Sequence, residues 1–200
     1  MVPTKRIEKM EENRRRLIVS ARKTFAERGF AAASMDEMTA GAGLTRGALY
    51  HNFGDKRGLF AAVVAQVDGE MAARAQEIGG RENSQWKSLL AVGDAYIRMA
   101  LEPEIRQIVL LDGPAVLGDP AHWPSQNACL DITRQAVREL IDDRIIKPVD
   151  IEAASRLLNG LALNAALWIA ASDEPETVLP DAIDVFHRLC EGLLADNSAT

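Results

Sequence analysis

Cysteine is nearly absent from this 200-residue chain. The two present, Cys129 and Cys190, stand in no metal or redox spacing and read as buried, reduced thiols. Histidine is almost as scarce, at three residues. No glycine-rich phosphate loop, no Gly-x-Ser-x-Gly and no His-Glu-x-x-His occurs. The sequence therefore offers no catalytic residue and implies no metal or cofactor. Long apolar runs are missing too. The longest, Leu157 to Ala171, is interrupted by Asn159, Gly160 and Asn164, and reads as a buried helix rather than a membrane span. The N-terminus alternates charges where an export signal would need an apolar stretch, so a cytoplasmic protein is expected. Alternating strand patterns are almost absent, which points to an all-α chain.

What is present is a core and an uneven charge. Hydrophobic residues make up 48% of the chain, enough to build one or two small domains. The net charge of −6 argues against nucleic acid, but its distribution reverses the argument. Residues 1–60 carry 12 Lys/Arg and 7 Asp/Glu, or +5, and the remaining 140 carry 11 and 22, or −11. A basic head on an acidic body concentrates attraction for phosphate in one domain. Arg14-Arg15-Arg16 and Arg22-Lys23 belong to that head, either as phosphate contacts or as a solvated helix face.

Within the head, Ser34 to Phe60 reads as two short helices around a glycine turn, followed by the start of a third. Ser34 and Glu37 have the spacing of a capping box. Met35 and Met38 give the first helix an apolar face. Gly41-Ala42-Gly43 supplies the left-handed backbone that a tight turn needs. Thr45 can cap the next helix, with Leu49 and Phe53 inward and Arg46, Gly47, Tyr50 and His51 outward. This is a helix-turn-helix, a shape that enters a DNA major groove.

The run of Leu17-Ile18, Ala21, Phe25, Gly29-Phe30, Ser34, Ala42-Gly43-Leu44-Thr45, Gly47-Ala48-Leu49-Tyr50-His51-Asn52-Phe53, Lys56 and Leu59-Phe60 resembles the N-terminal domain of TetR-type transcriptional regulators. Thr39 stands where the family usually has Ala, and Arg57 and Gly58 replace its usual acidic residues. The resemblance implies an N-terminal three-helix DNA-binding domain, residues 1–60, linked by a helix over 55–79 to a helical ligand-binding and dimerisation domain, residues 61–200. It implies DNA contacts from Ser34, Thr45, Arg46, Gly47, Tyr50, His51 and Lys56. Arg46 is the best base reader, since a guanidinium can grip guanine O6 and N7 together.

Further helices are expected from Gln85 to Leu101 with a Ser84 cap, from Pro103 toward Leu111, from Trp123-Pro124 to about Ile146, from an Asp150 cap to Ala171, and from Glu174-Pro175 to near Ala195. Asp112 to Pro120 reads as a turn-rich connection. Its Gly-Pro-Ala-Val-Leu-Gly run resembles one subgroup of TetR-like regulators. Helix 151–171 is apolar on most of its circumference and must be covered on nearly all sides. With helix 175–195 it predicts a homodimer through a four-helix bundle.

A small apolar or aromatic inducer is expected near Tyr96, Met99 and Trp123, with Arg98, Arg106 and His122 as polar partners. Taken with the family resemblance, these readings imply a dimeric, ligand-responsive repressor of a palindromic operator on double-stranded DNA, with no membrane association. Two other readings stay open at this point. One is an all-helical enzyme, for which His187 and Cys190 at i, i+3 are the nearest thing to an activated thiol or half a metal site. The other is a protein-binding adaptor built on helix-turn-helix geometry.

Overall fold

A computed structural model describes residues 3–195, with side chains from residue 6 onward. The described residues are helical apart from connections and one isolated antiparallel bridge, Ile146 to Leu194. They form two compact units. The first comprises 1–67 with 103–118, and the second 68–102 with 119–200. Segment 103–118 thus falls within 61–200 by sequence and within the first unit by contact.

In the first unit, α1 (Pro3–Ala32) is broken at Gly29, whose φ of 70° and ψ of 168° are not helical. Leu17, Ala21 and Phe25 recur at helical spacing and are fully buried. Helices α2 (Met35–Gly41) and α3 (Arg46–Phe53) follow, and α4 (Lys56–Gly79) begins in this unit and ends in the second. Phe25, Phe30 and Phe60 form one aromatic cluster, with centroids 4.9–5.9 Å apart. Pairs at such separations add to plain area burial.

The rest of this unit is a second helical stretch. Helix α6 (Pro103–Ile105) runs into a π-helical segment, Arg106–Asp112, and then into α7 (Gly113–Leu117). The expected turn over 112–120 is therefore helical as far as Leu117, and the chain breaks only at Gly118, with φ of 90°. Pro114 reads as a breaker in the sequence, yet it is the second residue of α7, directly after the π-helical segment.

The second unit holds the end of α4, α5 (Gln85–Arg98), a 3₁₀ turn over Met99–Leu101, α8 (Pro124–Asp142), α9 (Ile151–Ala171) and α10 (Pro175–Glu191). Ser84 Oγ accepts from Lys87 N at 3.2 Å and Asp150 Oδ1 from Ala153 N at 2.8 Å, so both expected caps form. Helix α8 ends four residues before the expected Ile146. Arg144 is in the left-handed region, and residues 145–147 pair with 193–195 instead: Lys147 N donates to Leu193 O at 2.8 Å and Ala195 N to Ile145 O at 3.0 Å. The same pairing stops α10 at Glu191, short of Ala195.

Candidate nucleic-acid interface and ligand cavity

The helix-turn-helix is set by local chemistry. Ser34 Oγ accepts from Asp36 N at 3.2 Å and so caps α2. The reciprocal box with Glu37 is a correction: the Glu37 carboxylate goes to Arg28 instead, at 3.1–3.2 Å. Gly43, with φ of 61°, makes the turn, and Gly43 N and Leu44 N close back on Ala40 O and Thr39 O, each at 2.9 Å. Arg16 Nη2 donates to Ala42 O at 2.5 Å, placing a cation on the carbonyl end of α2. Thr39, the departure from the family pattern, is buried and bonds back to Met35 O at 2.9 Å.

Thr45 Oγ1 accepts from Ala48 N at 3.3 Å and starts α3. Leu49 is fully buried, Phe53 is half-buried beneath the Arg14 guanidinium at 4.5 Å, and Arg46, Gly47, Tyr50 and His51 are exposed. Lys56 Nζ lies 4.7 Å from the Phe30 ring centroid and 3.3 Å from Ala31 O, so its ammonium is also a clamp on the end of α1. Arg46 is not loose either: its Nε and Nη2 both donate to the Asp36 carboxylate. That contact raises the guanidinium pKa and lowers that of Asp36. Sequence reasoning missed Asp36, because a contact between two turns of different helices has no periodic signature.

Gly58, another of the three departures, has a steric reason. A Cβ there would lie 2.0 Å from Phe53 O. Asp55 Oδ1 accepts from Gly58 N at 2.7 Å and so caps the start of α4.

In the second unit a cavity of about 70 Å³ is lined by Tyr96, Gln126, Cys129, Thr133 and Asn159 on its polar side and by Leu89, Val92, Leu158 and Phe186 on its apolar side. Beside it, Asp68 is buried and accepts from Gln126 Nε2 at 3.1 and 3.2 Å. Burial pushes its carboxyl above the ordinary range, against the hydrogen bonds it receives. Burial and the Asp68 charge likewise raise the Tyr96 hydroxyl, and lift the Cys129 thiol to about 11.

Of the residues expected at a ligand site, Tyr96 lines this cavity. Met99 and Trp123 are buried in the same unit outside its lining, and Trp123 Nε1 has no hydrogen-bond partner among the described residues. Arg98 and His122 are exposed, His122 beside Asp119 at 3.4 Å. Arg106 belongs to the first unit. Asp68 and Gln126 were missed, since an isolated acid and amide in helices carry no pattern.

His187 Nε2 is 2.7 Å from Asp94 Oδ1, and the neighbouring Cys190 is fully buried, its thiol pushed up to about 12 by burial and then by Asp94. That is the opposite of an activated thiol. Among the described residues no group of three or more His, Cys, Asp or Glu is placed to hold a metal ion.

Helices α9 and α10 leave an apolar face open. Leu157, Trp168, Val185 and Leu189 are each more than half exposed, around a groove of about 870 Å³ that Leu161 and Leu193 also line. Large apolar side chains grouped like this mark an interaction surface.

Comparison with known proteins agrees with this architecture. The sequence model described as "Bacterial regulatory proteins, tetR family" matches residues 17–63, and that described as "Tetracyclin repressor-like, C-terminal domain" matches residues 86–193. The chain is 43% identical to a TetR-family transcriptional regulator from Pectobacterium atrosepticum, with a TM-score of 0.86, covering 94% of this chain and 97% of that one. It is 35% identical over 131 residues to the HTH-type transcriptional repressor AcnR of Corynebacterium efficiens, covering 66% of this chain and 65% of the repressor. It is 26% identical over 156 residues to the transposon Tn10 TetC protein of Escherichia coli, covering 76% and 77%.

Proposed function

Because this chain belongs to the TetR family of bacterial transcriptional regulators, which are DNA-binding proteins and not enzymes, we propose that it is a homodimeric repressor released from a palindromic operator by a small, largely apolar or aromatic compound. The observation that carries this reading is the face of α3. Arg46, Gly47, Tyr50 and His51 stand exposed on a helix whose Leu49 is fully buried, in the half of the chain with net positive charge.

In this reading residues 1–60 bind DNA and residues 61–200 dimerise and take the ligand. Arg46 reads guanine, and Gly47 lets the backbone approach. Thr45, Tyr50, His51 and Lys56, with Ser34 at the start of α2, set register on phosphates and neighbouring bases. Lys56 and Arg46 meet the DNA with Ala31 O and Asp36 as their present partners. Dimerisation buries the face of α9 and α10 that holds Leu157, Trp168, Val185 and Leu189. A repressor works where its DNA is, in the cytoplasm, and among the described residues no helix is long and apolar enough to cross a membrane.

In this reading the ligand takes the cavity beside Tyr96, with Met99 and Trp123 buried elsewhere in the same unit. A ligand that shifts operator affinity five- to 150-fold needs a coupling of about 1–3 kcal/mol, and must contact the two states differently. Intrinsic tryptophan fluorescence during titration with a panel of small phenols and other aromatics, with release of duplex DNA followed in parallel, tests the reading. Binding that leaves DNA affinity unchanged for every compound sinks the inducer role.

A further inference from the structure

The contact between Arg46 and Asp36 has a specific geometry. It is a side-on fork: Nε donates to Oδ1 and Nη2 to Oδ2. A guanidinium has five N–H donors in a fixed plane. The fork uses Nε–H and one Nη2–H. The two Nη1 hydrogens and the second Nη2 hydrogen remain, and two of these, one on each terminal nitrogen, form the end-on edge opposite the aliphatic stem. That edge has the two parallel donors that guanine O6 and N7 accept. Asp36 therefore occupies the edge that guanine does not need.

The placement of Asp36 is itself fixed. Its backbone N–H is held by Ser34 Oγ at 3.2 Å, at the start of α2, while Thr45 fixes the start of α3 where Arg46 is the first residue. Its neighbour Glu37 is occupied by Arg28 at 3.1 Å. Arg46 and Asp36 are both more than half exposed, so the fork is the contact that fixes the direction of a side chain with four rotatable bonds. A carboxylate near the DNA face also repels phosphate, which weakens binding that lacks a matching base.

We propose that Asp36 is a positioning residue that holds Arg46 for end-on recognition of a guanine and so sets the guanine specificity of each half-site. The proposal rests on Arg46 facing DNA, as argued above. The other way to read the fork is a lock that competes with DNA for Arg46, and the two differ in outcome.

The test uses the full-length protein and a duplex selected by it from a random-sequence pool, with an unselected duplex beside it. The guanine read by Arg46 is the one at which Arg46→Ala loses discrimination, by about five- to hundredfold. At that position guanine is replaced by adenine, and separately by 7-deazaguanine, which lacks the N7 acceptor. Asp36→Asn keeps the size of the side chain and removes the charge. It is expected to lower discrimination for guanine about tenfold while affinity for the unselected duplex stays level or rises. With Arg46→Ala already present, Asp36→Asn is expected to change discrimination no further. Equal strengthening on both duplexes would make Asp36 a lock and overturn the proposal, as would unchanged discrimination. Should Arg46→Ala itself leave discrimination intact at every position, the assignment of Arg46 as reader fails first, independently of Asp36.

Discussion

Asp112 holds the backbone of Phe30: its Oδ2 accepts from Phe30 N at 2.6 Å, and Gln107 Nε2 donates to the same oxygen at 2.9 Å. Phe30 follows the break in α1 at Gly29, so the carboxylate takes the N–H that the interrupted helix leaves over. Removing it orphans a part-buried donor. Asp112→Ala is expected to destabilise the protein by about 1–3 kcal/mol, a cost set by desolvation of the unmatched group. Urea unfolding checks it, and an unchanged midpoint would show that water serves Phe30 N equally well.

Gly58 separates this chain from its family pattern for a steric reason, and restoring the acidic residue should do harm. Gly58→Glu places a Cβ 2.0 Å from Phe53 O, so α3 or the first turn of α4 must shift. We expect a loss of about 1–3 kcal/mol, in the range of overpacking, together with weaker DNA binding because Phe53 anchors α3. Thermal melting and a gel shift of the same variant measure the two effects.

Asp68 makes stability depend on pH with a definite sign. Its folded pKa is raised above the ordinary value of 3.8, so the folded state binds the proton more tightly than the unfolded chain. Stability contributed by the protonated form is present below 3.8 and is lost as pH rises through the folded value. Relative to Asp68→Asn, the wild-type protein should therefore lose stability steadily as pH rises from 4, and level off once Asp68 is ionised. Denaturant midpoints of both proteins at matched pH values test this, and a constant difference would contradict it.

Much of the architecture was legible because its signals are local. Ser34, Thr45, Ser84 and Asp150 each accept from a backbone N–H at a helix start, since a capping side chain reaches only two or three residues along the chain. Leu49 was readable as core from helical spacing, and Leu17, Ala21 and Phe25, which carried the family resemblance, are fully buried. What escaped depends on distant partners. The end of α8 is set by residues 193–195, about fifty positions later. The assignment of 103–118 to the first unit rests on contacts such as Arg22 with Glu104, at 2.7 Å. The basic residues of the head were legible as a sign of charge, but not their partners: Arg16 goes to Ala42 O, Arg28 to Glu37 and Arg46 to Asp36. For the ligand, residue type suggested tryptophan and methionine, whereas the cavity beside Tyr96 owes its polar wall to Gln126, Thr133 and Asn159.

The open face of α9 and α10 predicts what a single charge should do. Leu161 lines the groove between the two helices, and in the proposed dimer it becomes interior. Leu161→Arg would place a cation there without a partner, at a cost on the order of several kcal/mol. Light scattering should show the wild type as a dimer at micromolar concentration and the variant as a folded monomer. A dimeric variant would move the interface elsewhere.

The central claim is that this chain recognises a DNA sequence as a symmetric pair of heads. The most direct measurement is selection of duplexes from a random pool by the purified protein, followed by binding of the selected and an unselected duplex at about 0.15 M salt. The account predicts enrichment of an inverted repeat whose half-sites lie about one helical turn apart. It also predicts binding at least a thousandfold or so tighter than to the unselected duplex. Failure to enrich any sequence, or equal affinity for both duplexes from a dimeric protein, would contradict it.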